Sequence, residues 1–416
     1  MVSISHLLCG AWLGIAGTVT ATPWPHPRSF NAPQVATPID VDGDVYKAIW
    51  EEVPWSEPFV NIQGPDAPKE SGPFKNTATR MKMRWDDKYL YIATEMMADG
   101  WRIDADFIDR NEPIYQKDSD IEVFLDTDGS NVNYKELEVN AKNTVWNLML
   151  DKPYSSGGAE QSGRVAKPDE PNYWDVYGQK TATKMYGDIG KMNKHGKWTA
   201  EIALSHSDSL SRTQGSSPGI GKFWRINFSR VERKGKYNWV WSPMMLWTPE
   251  KRKYEGKINM HAPDAWGYVH FVEAGAASAG PTRWVDPAWP VKSAGSQIFY
   301  AQQFAQSEEG GGHLQFLPEL RKNRLINESL FVGLQANIRN ASTGWTASVS
   351  DATGCALTVI GNSHAFDMQC GEVAGIITRL LSPGRCLGIT FASLILLGIA
   401  GTVWVQQQKV ELKPSD

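Results

Sequence analysis

Two alternating pairs of acids carry the most chemistry in this sequence: Glu122 and Asp126 in DIEVFLDTDG, and Glu136 and Glu138 in KELEVN. In extended chain, residues two or four apart share a face, so each pair sets carboxylates on one side of a strand. Two carboxyl groups about 5 Å apart suit retaining glycoside hydrolysis, and about 6.5–9.5 Å suits inversion. A plainer account is a solvated polar face in which these acids meet Arg80, Lys82 and Arg84 of RMKMRW; the same face can hydrogen-bond sugar hydroxyls. The sequence holds no metal-spaced His pair, nucleophile elbow, phosphate loop or Gly-rich nucleotide turn. DTDGSNVNYKEL opens like a calcium loop, but Leu137 stands where the closing bidentate Glu belongs. An Asp/Gly hairpin turn is expected there and no cofactor is assigned, with a loose structural calcium site as the alternative.

The chain has 18 Trp and 13 Tyr. Tyr115, Trp146, Trp174, Trp239, Trp241, Trp247 and Trp266 fall on or beside strand-like runs. Most are expected in the core. A few beside polar groups would form a platform on which a pyranose stacks.

These residues need a scaffold, and the alternation supplies it. RMKMRW puts Met81, Met83 and Trp85 on one face and its bases on the other. Further short runs follow, YLYIATEM, TVWNLML, WTAEIAL, FWRINFSRV, YNWVWS and WGYVHF, separated by Gly, Asn, Asp and Pro. They predict a mainly β protein, a jelly-roll β-sandwich over residues 38–273. A Pro-rich segment (22–37) precedes it and an Ala/Gly/Pro-rich linker (274–293) follows. A small α+β region (294–380) comes next, with a helix over 297–306. The 416 residues leave room for this arrangement. A net charge of −4 without a Lys/Arg block offers no footprint for nucleic acid.

Both ends point to a membrane. Residues 1–21 pair an apolar stretch with small residues at Val19 and Ala21, the pattern of a cleaved signal peptide. Residues 386–405 are uncharged and long enough to cross about 30 Å of hydrocarbon as a single transmembrane helix, leaving 406–416 as a short cytosolic tail. The body is therefore expected outside the cell or in the secretory lumen, membrane-anchored. In that oxidising setting a two-residue turn at Asn362-Ser363 sets Cys355 opposite Cys370, which predicts a disulfide across a hydrogen-bonded pair with Cα atoms about 5.5 Å apart.

IDVDGDVYKAIWEEVPWSEPF, TRMKMRWDDKYLYIATEM, DSDIEVFLDTDG, NYKELEVNAKNTVWNLMLDKPY, KWTAEIAL, FWRINFSRVE, NWVWSP and NMHAPDAWGYVHF, in that order, resemble the successive motifs of the carbohydrate-binding module family 9-like domain. The resemblance implies a jelly-roll sandwich that binds glycans, often beside a glycoside hydrolase partner in polysaccharide breakdown, and in some members holds structural calcium. It also implies a site. Tyr115 stands near one sugar-stacking position, and Met260 beside His261 near the other. Glu122 matches a glutamate of the family's strand, while Glu138 replaces a basic residue, with Asn140 two places on. Asn227 and Arg230 are expected to support the site. The leading expectation is a non-catalytic carbohydrate-binding protein. The alternatives are a glycoside hydrolase using Glu122 and Glu138, and a haem-binding sandwich for electron transfer with axial ligands from Met260 or Met97 and His261.

Overall fold

The computed structural model describes residues 25–67, 78–308, 314, 317–341 and 344–371. The expected signal peptide, transmembrane helix and tail lie outside the described residues; among these, no helix is long and apolar enough to cross a membrane. In chain order the strands are β1 (Ser29–Pro33), β2 (Val60–Asn61), β3 (Thr79–Trp85), β4 (Tyr89–Ala98), β5 (Trp101–Arg102), β6 (Asp120–Asp126), β7 (Tyr134–Asn140) and β8 (Val145–Leu150). They continue with β9 (Glu160–Gln161), β10 (Lys180–Tyr186), β11 (Met192–Asn193), β12 (Gly196–Ser205), β13 (Phe223–Glu232), β14 (Tyr237–Val240), β15 (Met245–Thr248), β16 (Lys253–Gly256), β17 (Gly267–Val272) and β18 (Gly280–Thr282). A last sheet comprises β19 (Gln335–Ala341), β20 (Gly344–Ser350), β21 (Cys355–Ile360) and β22 (Ala365–Cys370). The helices are α1 (Ala48–Glu51), α2 (His206–Leu210), α3 (Trp289–Ser307) and α4 (Leu317–Lys322).

The architecture is mainly β, and two sheets form a sandwich. One runs β18-β1-β17-β13-β6-β7-β8-β9, with β14 and β2 branching from β13; the other runs β10-β12-β4-β3. Alternation dictates what they bury between them. Ile121, Val123 and Leu125 of β6, Leu137 and Val139 of β7, and Ile226 and Phe228 of β13 meet Met81, Met83, Leu90, Ile92, Trp198 and Ile202 from the facing sheet. Each such side chain contributes about 1.5–3 kcal/mol through burial. The tight β3–β4 turn is held by Asp86, whose Oδ1 accepts the Lys88 and Tyr89 amides at 2.7 and 2.8 Å.

Two segments read as connectors contribute strands. In the Pro-rich segment, β1 pairs parallel with β17; in the expected linker, β18 pairs antiparallel with β1. The reason is the sheet edge: β17 would otherwise leave unpaired backbone groups, and five residues of nearly any composition can satisfy them. The junction is sealed by His26, which stacks on Tyr268 at 5.2 Å and accepts the Asp286 amide at 2.9 Å.

The expected helix over 297–306 begins earlier, at Trp289, with Pro290 in its first turn, where no amide partner is needed. Together with the β19–β22 sheet, α3 forms a further layer. One continuous core joins Phe124, Tyr134, Trp146 and Trp266 on the outer face of the larger sheet to Ile298 and Phe299 of α3 and to Val349, Leu357 and Val359. Cys355 and Cys370 are opposite each other and bonded. Their pair differs from expectation in kind: the Gly371 amide bonds the Gly354 carbonyl at 3.1 Å, so the cysteines occupy the neighbouring non-hydrogen-bonded position, with Cα atoms 4.0 Å apart.

Candidate functional site

The outer face of the larger sheet is only partly covered by α3, and a cavity of about 400 Å³ remains where β6, β7 and β8 run side by side. Because Ile121, Val123 and Leu125 point inward, Asp120, Glu122 and Phe124 point outward. The register then aligns the chemistry across strands: Glu122 faces Glu138, Phe124 faces Glu136, and Asp120 faces Asn140. On β8, Trp146 lies opposite Glu138 and Leu148 opposite Glu136.

Irregular segments build the walls. The turn Ile114–Gln116 lays the Tyr115 ring against Trp146, centroids 5.2 Å apart and planes 25° from parallel. Arg164 sits over the other part of the wall, 4.7 Å from the Trp146 ring, and pairs with Glu160. Across the cavity, Tyr154 meets His261 edge-on at 4.6 Å. The His261 Nδ1 shares a 3.0 Å hydrogen bond with the Tyr134 hydroxyl, and burial lowers its pKa to about 4, so the ring is neutral at physiological pH.

The bases expected to meet these acids are elsewhere. Arg80 pairs with Glu95, Lys82 donates to the Trp50 carbonyl, and Arg84 reaches Ile49 and Glu52, all at the second sheet. The acid face is therefore uncompensated apart from the Arg164–Glu160 pair at its rim. Burial raises the pKa of Glu122 to about 7, partly offset by the Ser229 hydroxyl. Asp120, Glu136 and Glu138 are pushed well above the carboxylate range, first by burial and then by the charge of Glu122, with further contributions from Glu232 and Asp118 at Asp120, Glu160 at Glu136, and Asp120 and Glu136 at Glu138.

Of the residues singled out in the sequence, Tyr115, Glu122, Glu138, Met260 and His261 line this cavity. Asn140, Asn227 and Arg230 do not. Asn140 donates to Asp118 at 2.7 Å and accepts the Lys142 and Thr144 amides, which closes the β7–β8 turn. Asn227 exchanges bonds with the Ser242 backbone at 2.9 and 3.0 Å. Arg230 points into the sandwich and pairs with Glu232. Asn227 and Arg230 are three apart on one strand, so they cannot share a face. Met97 belongs to β4 of the second sheet, whereas His261 lines the cavity on the larger one.

Trp146, Tyr154, Arg164 and Glu136 also line the cavity, with Phe124, Leu148 and the segment 258–259 among the remaining wall residues. Alternation from Glu138 reaches Glu136, and the register reaches Trp146. Tyr154 and Arg164 come from residues 151–166, where no periodicity marks them. The Asp126 turn does not gather free oxygens: Asp126 accepts the Gly129 and Asn131 amides, and Asp128 accepts those of Ser130 and Gln214. Trp239 and Trp241 are core, and Trp247 lines a separate cavity of about 580 Å³ beside α3.

No protein-family model matches the chain, and no curated protein matches it. Among solved structures, the chain is similar to a candidate carbohydrate-binding protein from Bacteroides uniformis ATCC 8492, with 16% identity, 59% of this chain and 99% of that one covered, and a TM-score of 0.42. It is also similar to a carbohydrate binding module family 9 from Caldicellulosiruptor kristjanssonii. The cellotriose complex of that module aligns with 17% identity over 59% of this chain and 94% of that one, TM-score 0.35. Its glucose complex aligns with 18% identity over 62% and 100%, TM-score 0.35.

Proposed function

We propose that the chain is a non-catalytic carbohydrate-binding protein of the family 9-like, jelly-roll type, and that its sugar sits in the cavity against Tyr115. The observation that carries this reading is the Tyr115–Trp146 stack beside a floor of carboxyls. It offers an aromatic plane for the C–H face of a pyranose and acceptors for its hydroxyls, in a volume within the usual 300–1,000 Å³ of small-ligand sites, roughly. The ordered motifs of the sequence agree with it. A retaining hydrolase would draw on the nearby Glu122 and Glu138. Such a pair needs one ionised and one protonated member, set by unlike environments. Here burial raises both carboxyls, and the Glu122→Gln variant decides between the two readings.

Tyr115→Ala should weaken affinity for a glycan identified on an array with the purified chain by about tenfold, roughly 1–2 kcal/mol. Titration calorimetry checks this. Glu122→Gln separates the classes: a binder loses part of its affinity, whereas a hydrolase loses turnover and keeps its substrate. Unchanged affinity in both variants places the sugar elsewhere, with the cavity around Trp247 next.

The same proposal holds the body outside the cell or in the secretory lumen, anchored by residues 386–405 and accessory to a glycoside hydrolase. This part rests on the sequence. Truncation before Cys386 should release the protein into the soluble fraction; retention on the membrane would refute the anchor.

A further inference from the structure

We infer that Asp120, Glu122 and Glu138 form a binding site for one hard divalent cation of the calcium class at the floor of the cavity. One carboxylate oxygen from each lies within 4.8 Å of the others. Oxygens bonded to a common Ca²⁺ at about 2.3–2.6 Å are separated by no more than about 5 Å, so a single ion reaches all three. An all-oxygen set selects a hard cation over the thiolate- and imidazole-seeking metals.

Clustered acids alone would not carry this. The further observation is that Asp120 is fully buried and neither of its oxygens has a hydrogen bond of ordinary geometry. The neighbouring Val231 amide gives only a weak electrostatic counterweight. Glu138 Oε2 is likewise buried without a partner. Buried carboxyl oxygens normally find hydrogen-bond partners, and leaving them bare is unfavourable whether the group is ionised or neutral. No ion pair among the described residues involves any of the three. Arg164, at the rim of the cavity, is committed to Glu160, and Arg230, on the other face of the sheet, to Glu232.

The strands make the site rigid. Asp120 and Glu122 are held two apart on β6, and Glu138 is fixed opposite Glu122 by the ladder. Glu122 and Glu138 also line the cavity, and Asp120 lies two residues along β6 on the same face, opposite Asn140. Three protein oxygens leave about three to five coordination positions of a calcium ion, and these face the cavity. Water fills them in the free protein. Given the sugar-binding reading above, vicinal hydroxyls of the ligand would replace it, which extends that reading from stacking to coordination.

The test uses the purified full chain, stripped with chelator, and terbium as the probe, because Trp146 stands opposite Glu138 and sensitises a lanthanide bound there. Wild-type protein should give saturable terbium luminescence under Trp excitation that calcium displaces. Asp120→Asn and Glu138→Gln should each weaken binding at least tenfold while retaining the wild-type circular dichroism spectrum. If either variant fails to fold, Glu122→Gln replaces it, and a calcium-induced rise in the wild-type Tm serves as the second readout. Three results overturn the inference: no saturable signal and no Tm shift at millimolar calcium; undiminished binding in the folded variants; or binding lost only on Asp128→Asn, which would move the ion to the Asp126 turn. Sugar takes no part in these measurements, so a failed glycan screen and a failed cation site are distinguishable.

Discussion

Arg230→Met should lower the free energy of unfolding by about 3–5 kcal/mol and leave the proposed glycan affinity of the folded protein unchanged. Arg230 and Glu232 are both fully buried. The guanidinium bonds Glu232 Oε1 through Nε at 2.9 Å and Nη2 at 2.7 Å, and its Nη1 reaches Thr79 Oγ1 at 3.1 Å and the Met97 carbonyl at 2.8 Å. It therefore ties the larger sheet to β3 and β4 of the second. Removing it strands the Glu232 carboxylate among Ser119 and Trp101, whose donors at 2.5 and 3.3 Å do not neutralise its charge. Urea denaturation measures the loss. Adding Glu232→Gln should recover a large part of it, because the surviving cost is that of an unpaired buried charge. A stable Arg230→Met protein that has lost its sugar would return Arg230 to the ligand site.

The second large effect is acid lability at the β1–β17–β18 junction. His26 and His270 both have pKa values lowered to about 4, first by burial. Around them, Asp286 opposes the shift, Arg225 and Lys292 deepen it for His26, and His26 deepens it for His270. In the unfolded chain each imidazole takes its proton near pH 6.5. The unfolded state thus binds more protons between pH 6.5 and 4, and stability falls as pH falls through that window. At about 1.4 kcal/mol per unit, each histidine accounts for about 3 kcal/mol lost by pH 4. Asp286, lowered to about 2 and paired with Lys292 at 2.8 Å, adds a loss below its ordinary range. Glu122 and Asp126, raised to about 7, act in the opposite sense over the same window, so the wild-type curve alone mixes both. His270→Phe keeps a ring against Trp284, now 4.2 Å away, and removes one titrating group. The wild-type-minus-variant difference in unfolding free energy should change by about 3 kcal/mol from pH 7 to pH 4. A flat difference would show that His270 is not buried neutral.

That junction also marks a limit of the sequence. Residues 22–37 and 274–293 read as connectors because their Pro and Gly content breaks every period. Yet β1 and β18 form there, since an unpaired sheet edge recruits whatever backbone lies alongside it. The α3 layer was hidden for a related reason: Ile298 and Phe299 show that a helix has an apolar side, but not that Trp146 and Trp266 of the sandwich cover it.

Alternation by itself determined the central strands of the sandwich, that Met81, Met83 and Trp85 face the core, that Glu122 and Glu138 stand outward on adjacent strands, and that Cys355 meets Cys370. Each follows from a period of two and a turn length, both local properties of the chain. Parity even separates Asn227 from Arg230, three places apart on β13. The tertiary structure alone decided that Arg80, Lys82 and Arg84 would be engaged at the other sheet, leaving the acids of β6 and β7 without a base, and that Tyr154 and Arg164 would arrive from an aperiodic loop to wall the cavity. Periodicity fixes whether a side chain points in or out. Which distant groups meet it there depends on how the sheets stack and where the loops cross, and that is where these carboxyls acquire their burial and their shifted protonation.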